Sequence, residues 1–221
     1  MAALTRTGPP RPNVRGEREK KQDQPGVLVS RAEQRARIMA RAQTVFAARG
    51  YARTTFLEVA EAVHLSEAEL RHRFPGGRSE LVVAVAQQQL EAMTEELRRA
   101  ARVPFPARVR LRRLLKAMFD YVDAHPGAYR LLFSDAAVAV DPALGPAAIA
   151  TRAQVAAEAA HILAGSAPTP QIAAASAGIV GFALANIGLC LAGGLDPEQA
   201  WRVTCEFCTS QLPPTDLDNC Q

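Results

Sequence analysis

Apolar residues recur with the 3.6-residue period of amphipathic helices along most of the chain, while stretches in which Val, Ile or Thr alternate with polar residues are missing. Ser30 is placed to cap a first helix in which Ile38, Ala42, Val45 and Phe46 share one face, and Gly50 is placed to end it. Thr54 and Thr55 offer the next cap, for a short helix through Ala62. Ser66 caps a third that runs to about Arg73, where Phe74-Pro75-Gly76-Gly77 stops it. Two short helices joined by a three-residue turn are a helix-turn-helix. Its spacing puts Phe56, Val59, Val63, Leu65 and Leu70 on inward faces, with the small Ala60 where the helices must approach. Ser66, Glu67, Ala68, Arg71, His72 and Arg73 are left projecting outward. Helical spacing then continues over 78–102, 107–124, 127–134, 142–164, 170–193 and 197–211, with Gly193-Gly194 linking the last two.

The fold class predicted is all-α with about nine helices. An N-terminal three-helix helix-turn-helix domain (30–77) precedes a larger C-terminal helical domain (78–212). Residues 1–29 carry Pro9, Pro10, Pro12 and Pro25, scattered charges and almost nothing apolar, and are expected to be a disordered basic arm; 213–221 are a flexible tail.

Composition sharpens this picture. The chain has 221 residues, of which 48% are hydrophobic, enough for a sizeable core. Its net charge of +4 is unevenly spread: residues 1–80 hold 15 Lys and Arg against 9 Asp and Glu, and the rest hold 11 against 13. In the arm, Arg6, Arg11, Arg15, Arg18, Lys20 and Lys21 form either a solvated tail or a run of cations able to follow a DNA backbone. A second basic run, Arg108, Arg110, Arg112, Arg113 and Lys116, alternates with apolar residues and is expected to be a solvated helix face.

No charge occurs between Pro168 and Leu195, a stretch long enough to span a bilayer. It is rich in Ala, Gly and Ser, contains Asn186 and lacks a flanking Lys/Arg cluster, so a fully buried helix is expected and no membrane partner. Ala177, Gly181 and Ala185 recur every fourth residue as a smooth ridge suited to a subunit interface, while Ile179, Phe182 and Leu189 supply bulk elsewhere. Cys190, Cys205, Cys208 and Cys220 all fall late in the chain without an apolar signal segment before them, which points to the cytoplasm. Cys205 and Cys208 lack further ligands at zinc spacing and lack the strand of a redox motif. They are expected to be buried thiols, with no metal and no cofactor.

The run Arg37-Ile38, Phe46-Ala47-Ala48-Arg49-Gly50-Tyr51-Ala52-Arg53-Thr54-Thr55, Val59-Ala60, Leu65-Ser66, Leu70 and Phe74-Pro75 resembles the N-terminal signature of TetR-type (tetracycline-repressor-like) transcriptional regulators. The matching stretch extends from Ser30 to Leu81. His125-Pro126-Gly127-Ala128-Tyr129-Arg130-Leu131-Leu132-Phe133 resembles a segment of the sensing domain in the same family. The resemblance implies a cytoplasmic homodimer whose two recognition helices enter successive major grooves of a palindromic double-stranded DNA operator, about 34–36 Å apart. A small molecule in the C-terminal domain would then change their separation, so that the protein acts as a repressor. It also implies that the last two helices build the dimer as a four-helix bundle.

The chain departs from the family pattern where it matters for recognition. His64 stands where the turn usually has Gly, and so must adopt a left-handed conformation or shift the turn. Glu67, Ala68 or Glu69, and Arg71 replace residue types common at those places. The DNA-binding residues expected are Thr55 and Ser66 on phosphates, Arg71, Arg73 and Arg78 as cations, and Glu67 and His72 at base edges. Plain N-capping by Thr55 and Ser66, and a solvated face for Arg71 and Arg73, stand beside that reading. Met118, Phe119, Val122, Tyr129, Phe133, His161 and Phe182 are the candidates to line a ligand pocket or else to be core. The scarcity of charge between Ala117 and Cys190 favours an uncharged or lipophilic effector. An enzyme is the poorer alternative: no Gly-rich phosphate loop, metal-spaced His and carboxylate, or nucleophile with a base is found, and no catalytic residue is expected. A second alternative keeps the fold but lets the altered recognition helix act through a protein partner.

Overall fold

A computed structural model describes residues 30–100, 105–134 and 144–212, and among these there is no strand. Nine α-helices follow in order: α1 (Arg31–Arg49), α2 (Phe56–Ala62), α3 (Glu67–Arg73), α4 (Gly77–Ala100), α5 (Ala107–Ala124), α6 (Pro126–Tyr129), α7 (Gly145–Ala164), α8 (Pro170–Leu191) and α9 (Pro197–Ser210). α6 runs on as a π-helical turn, Arg130–Ser134. The expected arm at 1–29, the tail at 213–221 and Cys220 lie outside the described residues.

The helix ends follow local chemistry. Ser30 and Glu33 close a reciprocal capping box at the start of α1, and Gly50, at φ +77°, ends it with its amide donating to the Phe46 carbonyl. α8 and α9 each open on a proline behind a capping side chain, Thr169 and Asp196. α8 stops at Leu191, two residues before the expected end.

Two apolar cores share α4. The first joins Ile38, Ala42 and Phe46 of α1 to Phe56, Val59, Ala60, Leu70 and Phe74, and closes on Leu81, Val82 and Val85 in the first turns of α4. Val63 and Leu65 pack against it half-buried. The second core takes Leu90, Met93 and Leu97 farther along α4, with the apolar faces of α5, α7 and α8 and Cys208 of α9. α4 is thus the helix common to both cores.

Two further ties bind the cores. Gly127 in α6 lies so close to α1 that a Cβ there would sit 2.3 Å from the Ala47 Cβ, so only glycine fits, and Arg130 donates to the Ala47 carbonyl at 2.7 Å. Inside, the Gln89 amide donates to Gln43 of α1 at 2.8 Å, while the buried Tyr121 hydroxyl lies 3.0 Å from both the Gln89 carbonyl and side-chain oxygens. Burial pushes the Tyr121 phenol up to about 12, so it remains a donor at ordinary pH.

Two sequence expectations are corrected. Arg110 is not part of a solvated basic face: it is half-buried, and its guanidinium donates to the carbonyls of Phe105 and Leu163 at 2.6 Å each. It ties down the carbonyl-rich end of α7, where a cation meets both the orphan acceptors and the negative end of the helix dipole. Nor is the uncharged segment fully buried. α8 packs Ile179, Val180, Ala183 and Ile187 inward and fixes its polar Asn186 by a 3.0 Å bond to the Thr204 hydroxyl, but it leaves Ala177, Gly181, Ala185 and Leu189 exposed. The exposed strip includes the ridge named above as suited to a subunit interface, so full burial is not reached within one chain.

The cysteines behave as small apolar side chains. Cys208 is buried, its thiol pushed up to about 12 by burial, and Cys205 and Cys190 are half-buried with thiols raised for the same reason. Among the described residues, no group of three or more His, Cys, Asp or Glu side chains could hold a metal ion.

Candidate nucleic-acid interface

α2 and α3 are too short to be stable alone and are held by their caps and neighbours. Thr55 and Glu58 form one capping box: the hydroxyl accepts from the Glu58 amide at 3.2 Å and donates to its carboxylate at 3.0 Å, which also accepts from the Thr55 amide at 2.7 Å. Ser66 and Glu69 repeat it at 3.2, 2.7 and 2.8 Å. The Thr55 amide holds the Glu58 carboxyl below its ordinary value, and the Ser66 hydroxyl does the same for Glu69, so both remain charged. The two hydroxyls are thus engaged in capping, while the amides one residue beyond each cap have no intrahelical acceptor to reach.

The turn between the helices is a Schellman motif: the Leu65 amide donates to the Ala60 carbonyl at 2.9 Å and the His64 amide to that of Glu61 at 3.0 Å. His64 occupies the left-handed position with φ 57°, the only non-glycine residue with positive φ among the described residues. A Cβ in that conformation costs about 1–2 kcal/mol, partly offset by the stiffer unfolded chain. His64→Gly is therefore expected to stabilise the protein by a few tenths to about 1 kcal/mol. A urea midpoint measures it, and a loss of stability would refute the strain.

α3 is anchored by one fully buried side chain, Leu70, and by its ends. Beneath its C-terminus Arg35 donates to the Arg73 carbonyl at 3.1 Å, lies 4.1 Å above the Phe74 ring and stands 3.7 Å from Glu80. Arg78 donates to the Thr54 carbonyl at 2.9 Å and sits 4.3 Å over Tyr51, and Arg49 pairs with Glu58. These three guanidiniums fasten α1, α2 and α4 around the recognition helix. The sequence reading missed Arg35 and Arg49 as parts of this frame and counted Arg78 among the DNA-binding cations. Its half-buried guanidinium instead holds backbone carbonyls.

What α3 offers outward is a mixed surface. Ala68, Glu69, Arg71 and His72 are exposed, and Glu67 and Arg73 half-exposed. Arg71 donates to Glu67 at 2.8 Å one turn earlier and lies 5.2 Å from the Phe56 ring centre, and Arg73 donates to the Glu69 carbonyl at 3.0 Å. So Arg71 and Glu67 already answer each other on this helix, while Arg73 is held by a backbone carbonyl and the Glu69 carboxylate by the Ser66 cap.

The seven side chains expected to line a ligand pocket are not brought together. Met118 and Val122 are core, Phe119 packs edge-on against Trp201, and Phe182 stacks on Phe207 at 4.1 Å. Only Tyr129 and Phe133 share a cleft, of about 460 Å³, with Arg152, Ala177 and Gly181; His161 lies exposed in a different groove. The single helical period cannot say which neighbouring helix covers which face, and it was there that the assignment scattered.

Residues 38–85 match the family described as bacterial regulatory proteins, tetR family. The HTH-type transcriptional activator FasR of Mycolicibacterium smegmatis is 30% identical over 128 residues, 58% of this chain and 58% of FasR, so the likeness spans little more than half of either protein. Among solved structures, a TetR-like transcriptional regulator from Rhodococcus sp. RHA1 superposes with TM-score 0.63 at 23% identity, covering 81% of this chain and 96% of that one. LfrR of Mycobacterium smegmatis, solved with proflavine, does so with TM-score 0.53 at 17%, covering 83% and 98%. The capped helix-turn-helix and these matches agree: residues 38–85 match the tetR family of bacterial regulatory proteins, and the helical frame behind them shares the fold of TetR-like structures.

Proposed function

We propose that this chain is a cytoplasmic, DNA-binding transcriptional regulator working as a homodimer, and a repressor that releases a palindromic operator when a small molecule binds its C-terminal part. The observation that carries the reading is the presentation of α3: one buried anchor, clamped ends, and Glu67, Arg71 and His72 turned to solvent on a helix short enough to lie in a major groove. The DNA-binding unit is 30–77 and the sensing unit 78–212. Thr55 and Ser66 present their helix N-termini to phosphates, Arg71 and Arg73 supply charge, and Glu67 and His72 meet base edges. Arg78 supports the site from behind.

The exposed ridge of Ala177, Gly181 and Ala185 on α8, with Val203 and Phe207 exposed on α9, supplies an apolar surface for a second copy. α8 is long and apolar enough to cross a bilayer. Its packed inner face and satisfied Asn186 favour the subunit interface and no membrane. An uncharged or lipophilic effector suits the sparsely charged sensing unit, and Tyr129 and Phe133 are the part of the expected pocket that the fold keeps together. FasR is named an activator. Deleting the gene and measuring transcription next to the bound site separates the two signs, since loss of a repressor raises it.

Arg71→Ala is expected to weaken operator binding several-fold and to lower the slope of log affinity against log salt by about 1. Glu67→Gln frees Arg71 and is expected to raise affinity for unrelated DNA by a comparable factor while blurring preference among operators. Fluorescence anisotropy over a salt series measures both. The Glu67–Arg71 pair also favours one other reading, in which α3 is too neutral for DNA and docks on a protein partner. In that case neither substitution changes DNA binding, because there is none to change.

A further inference from the structure

We infer that Ala68 is a specificity-determining residue of α3 and that it selects a 5-methylpyrimidine, thymine in ordinary DNA, at one position of each half-site. The inference rests on the DNA-binding function proposed above and names what that surface reads.

An α-helix has about 3.6 residues per turn, so the two positions opposite the fully buried Leu70 of α3 are Ala68 and His72, one turn apart. Both are exposed. The flanks of this crest are already engaged. Toward α2, Arg71 donates to Glu67 at 2.8 Å and lies 5.2 Å from the Phe56 ring centre. On the other side, the Glu69 carboxylate accepts from the Ser66 amide and hydroxyl at 2.8 and 2.7 Å, and Arg73 donates to the Glu69 carbonyl at 3.0 Å. Arg35, donating to the Arg73 carbonyl at 3.1 Å from beneath, holds the crest in this attitude. His72 has no hydrogen-bond or ion-pair partner among the described residues, which leaves its ring to bond a base edge.

Ala68 brings no hydrogen-bonding group. A side chain that is one methyl group discriminates among bases only by apolar contact, and the major-groove edges present a single apolar group, the C5-methyl of thymine. At the other bases a donor or acceptor would lose water to the Ala68 methyl and gain no partner. The small size of Ala68 matters as much as its polarity. It lets the α3 backbone stand closer to the base edges than a longer side chain would, which brings methyl against methyl at contact distance. The contact is blind to the 4-position, where thymine carries a carbonyl and cytosine an amine, so 5-methylcytosine offers Ala68 the same group.

The test begins with duplexes selected from a randomised pool by the full chain and resynthesised with each thymine in turn replaced by deoxyuridine, a change that deletes one methyl group. At one thymine per half-site the affinity is expected to fall about fourfold, the worth of one methyl group removed from water, and by roughly an order of magnitude when both half-sites are changed. With cytosine at that place, 5-methylation should raise affinity by about the same fourfold. In Ala68→Gly, with circular dichroism reporting the fold, the difference between thymine and uracil duplexes should shrink to less than about twofold. A scan with no uracil-sensitive thymine, sensitivity that survives Ala68→Gly undiminished, or a loss in Ala68→Gly that is equal on both duplexes overturns the assignment, the last because it would mean that Ala68 only supports the helix. A pool that yields no selected sequence removes the DNA-binding reading, and the assignment with it.

Discussion

Phe74→Ala is expected to destabilise the protein by about 3–5 kcal/mol, lowering its thermal midpoint by roughly 6–20 °C, and to abolish DNA binding well before the rest of the chain unfolds. Phe74 is fully buried just beyond α3, where its ring supports the Arg35 guanidinium and its amide donates to the Leu70 carbonyl at 2.9 Å. Truncation removes the transfer energy of the ring, leaves a cavity under a seven-residue helix and deprives Arg35 of its platform. The surroundings cannot collapse to fill it, because Leu70 and Leu81 are already closely packed and fully buried. Phe74→Leu keeps most of the volume and should cost less than about 1.5 kcal/mol. Chemical denaturation followed by circular dichroism checks both, and a Phe74→Ala cost below about 1 kcal/mol would show that this core does not hold α3.

Gly181→Trp carries the second large effect, and a different kind. A Cβ at Gly181 meets nothing within 4 Å, as at Gly178, so the protomer has room for the side chain, and glycine is in any case the poorer helix former. In a dimer built on the Ala177, Gly181 and Ala185 ridge, however, the indole stands where a partner helix must approach closely. The expected result is unchanged helicity, a monomer by sedimentation, and operator affinity lower by on the order of a hundredfold or more, because one half-site alone must hold the protein. A Gly181→Trp protein that remains dimeric at the wild-type concentration range places the interface elsewhere.

The contrast between these two positions also shows what was legible in the sequence. The N-terminal unit was readable almost to the residue because its signals are local: Ser30, Thr55 and Ser66 cap within one turn, Gly50 ends α1, and Leu70 lies one helical repeat from its neighbours on the inner face. His64 was legible as a residue that must take positive φ or shift the turn, and it takes positive φ. Arg78 and Arg110 were not. Each looks like a surface cation until the fold brings carbonyls to it, from Thr54 24 residues away and from Leu163 53 residues away. The ligand-facing residues failed for a related reason. Met118 and His161 both satisfy a helical period, and only the packing of α5 and α7 against their neighbours sends one into the core and the other to an open groove. In α8 the ridge of Ala177, Gly181 and Ala185 was picked out as an interface face, but the bond that holds Asn186 inside against Thr204 was not visible in the sequence.

The central claim is that a dimer of this chain reads a sequence through α3. Purified protein incubated with sheared genomic DNA at a low and a higher salt concentration, followed by sequencing of the retained fragments, tests it most directly. The account predicts enrichment of a palindrome, its half-sites about 34–36 Å apart or a multiple of that, surviving the higher salt. Uniform retention that vanishes with salt would contradict it, because phosphate attraction alone behaves in that way.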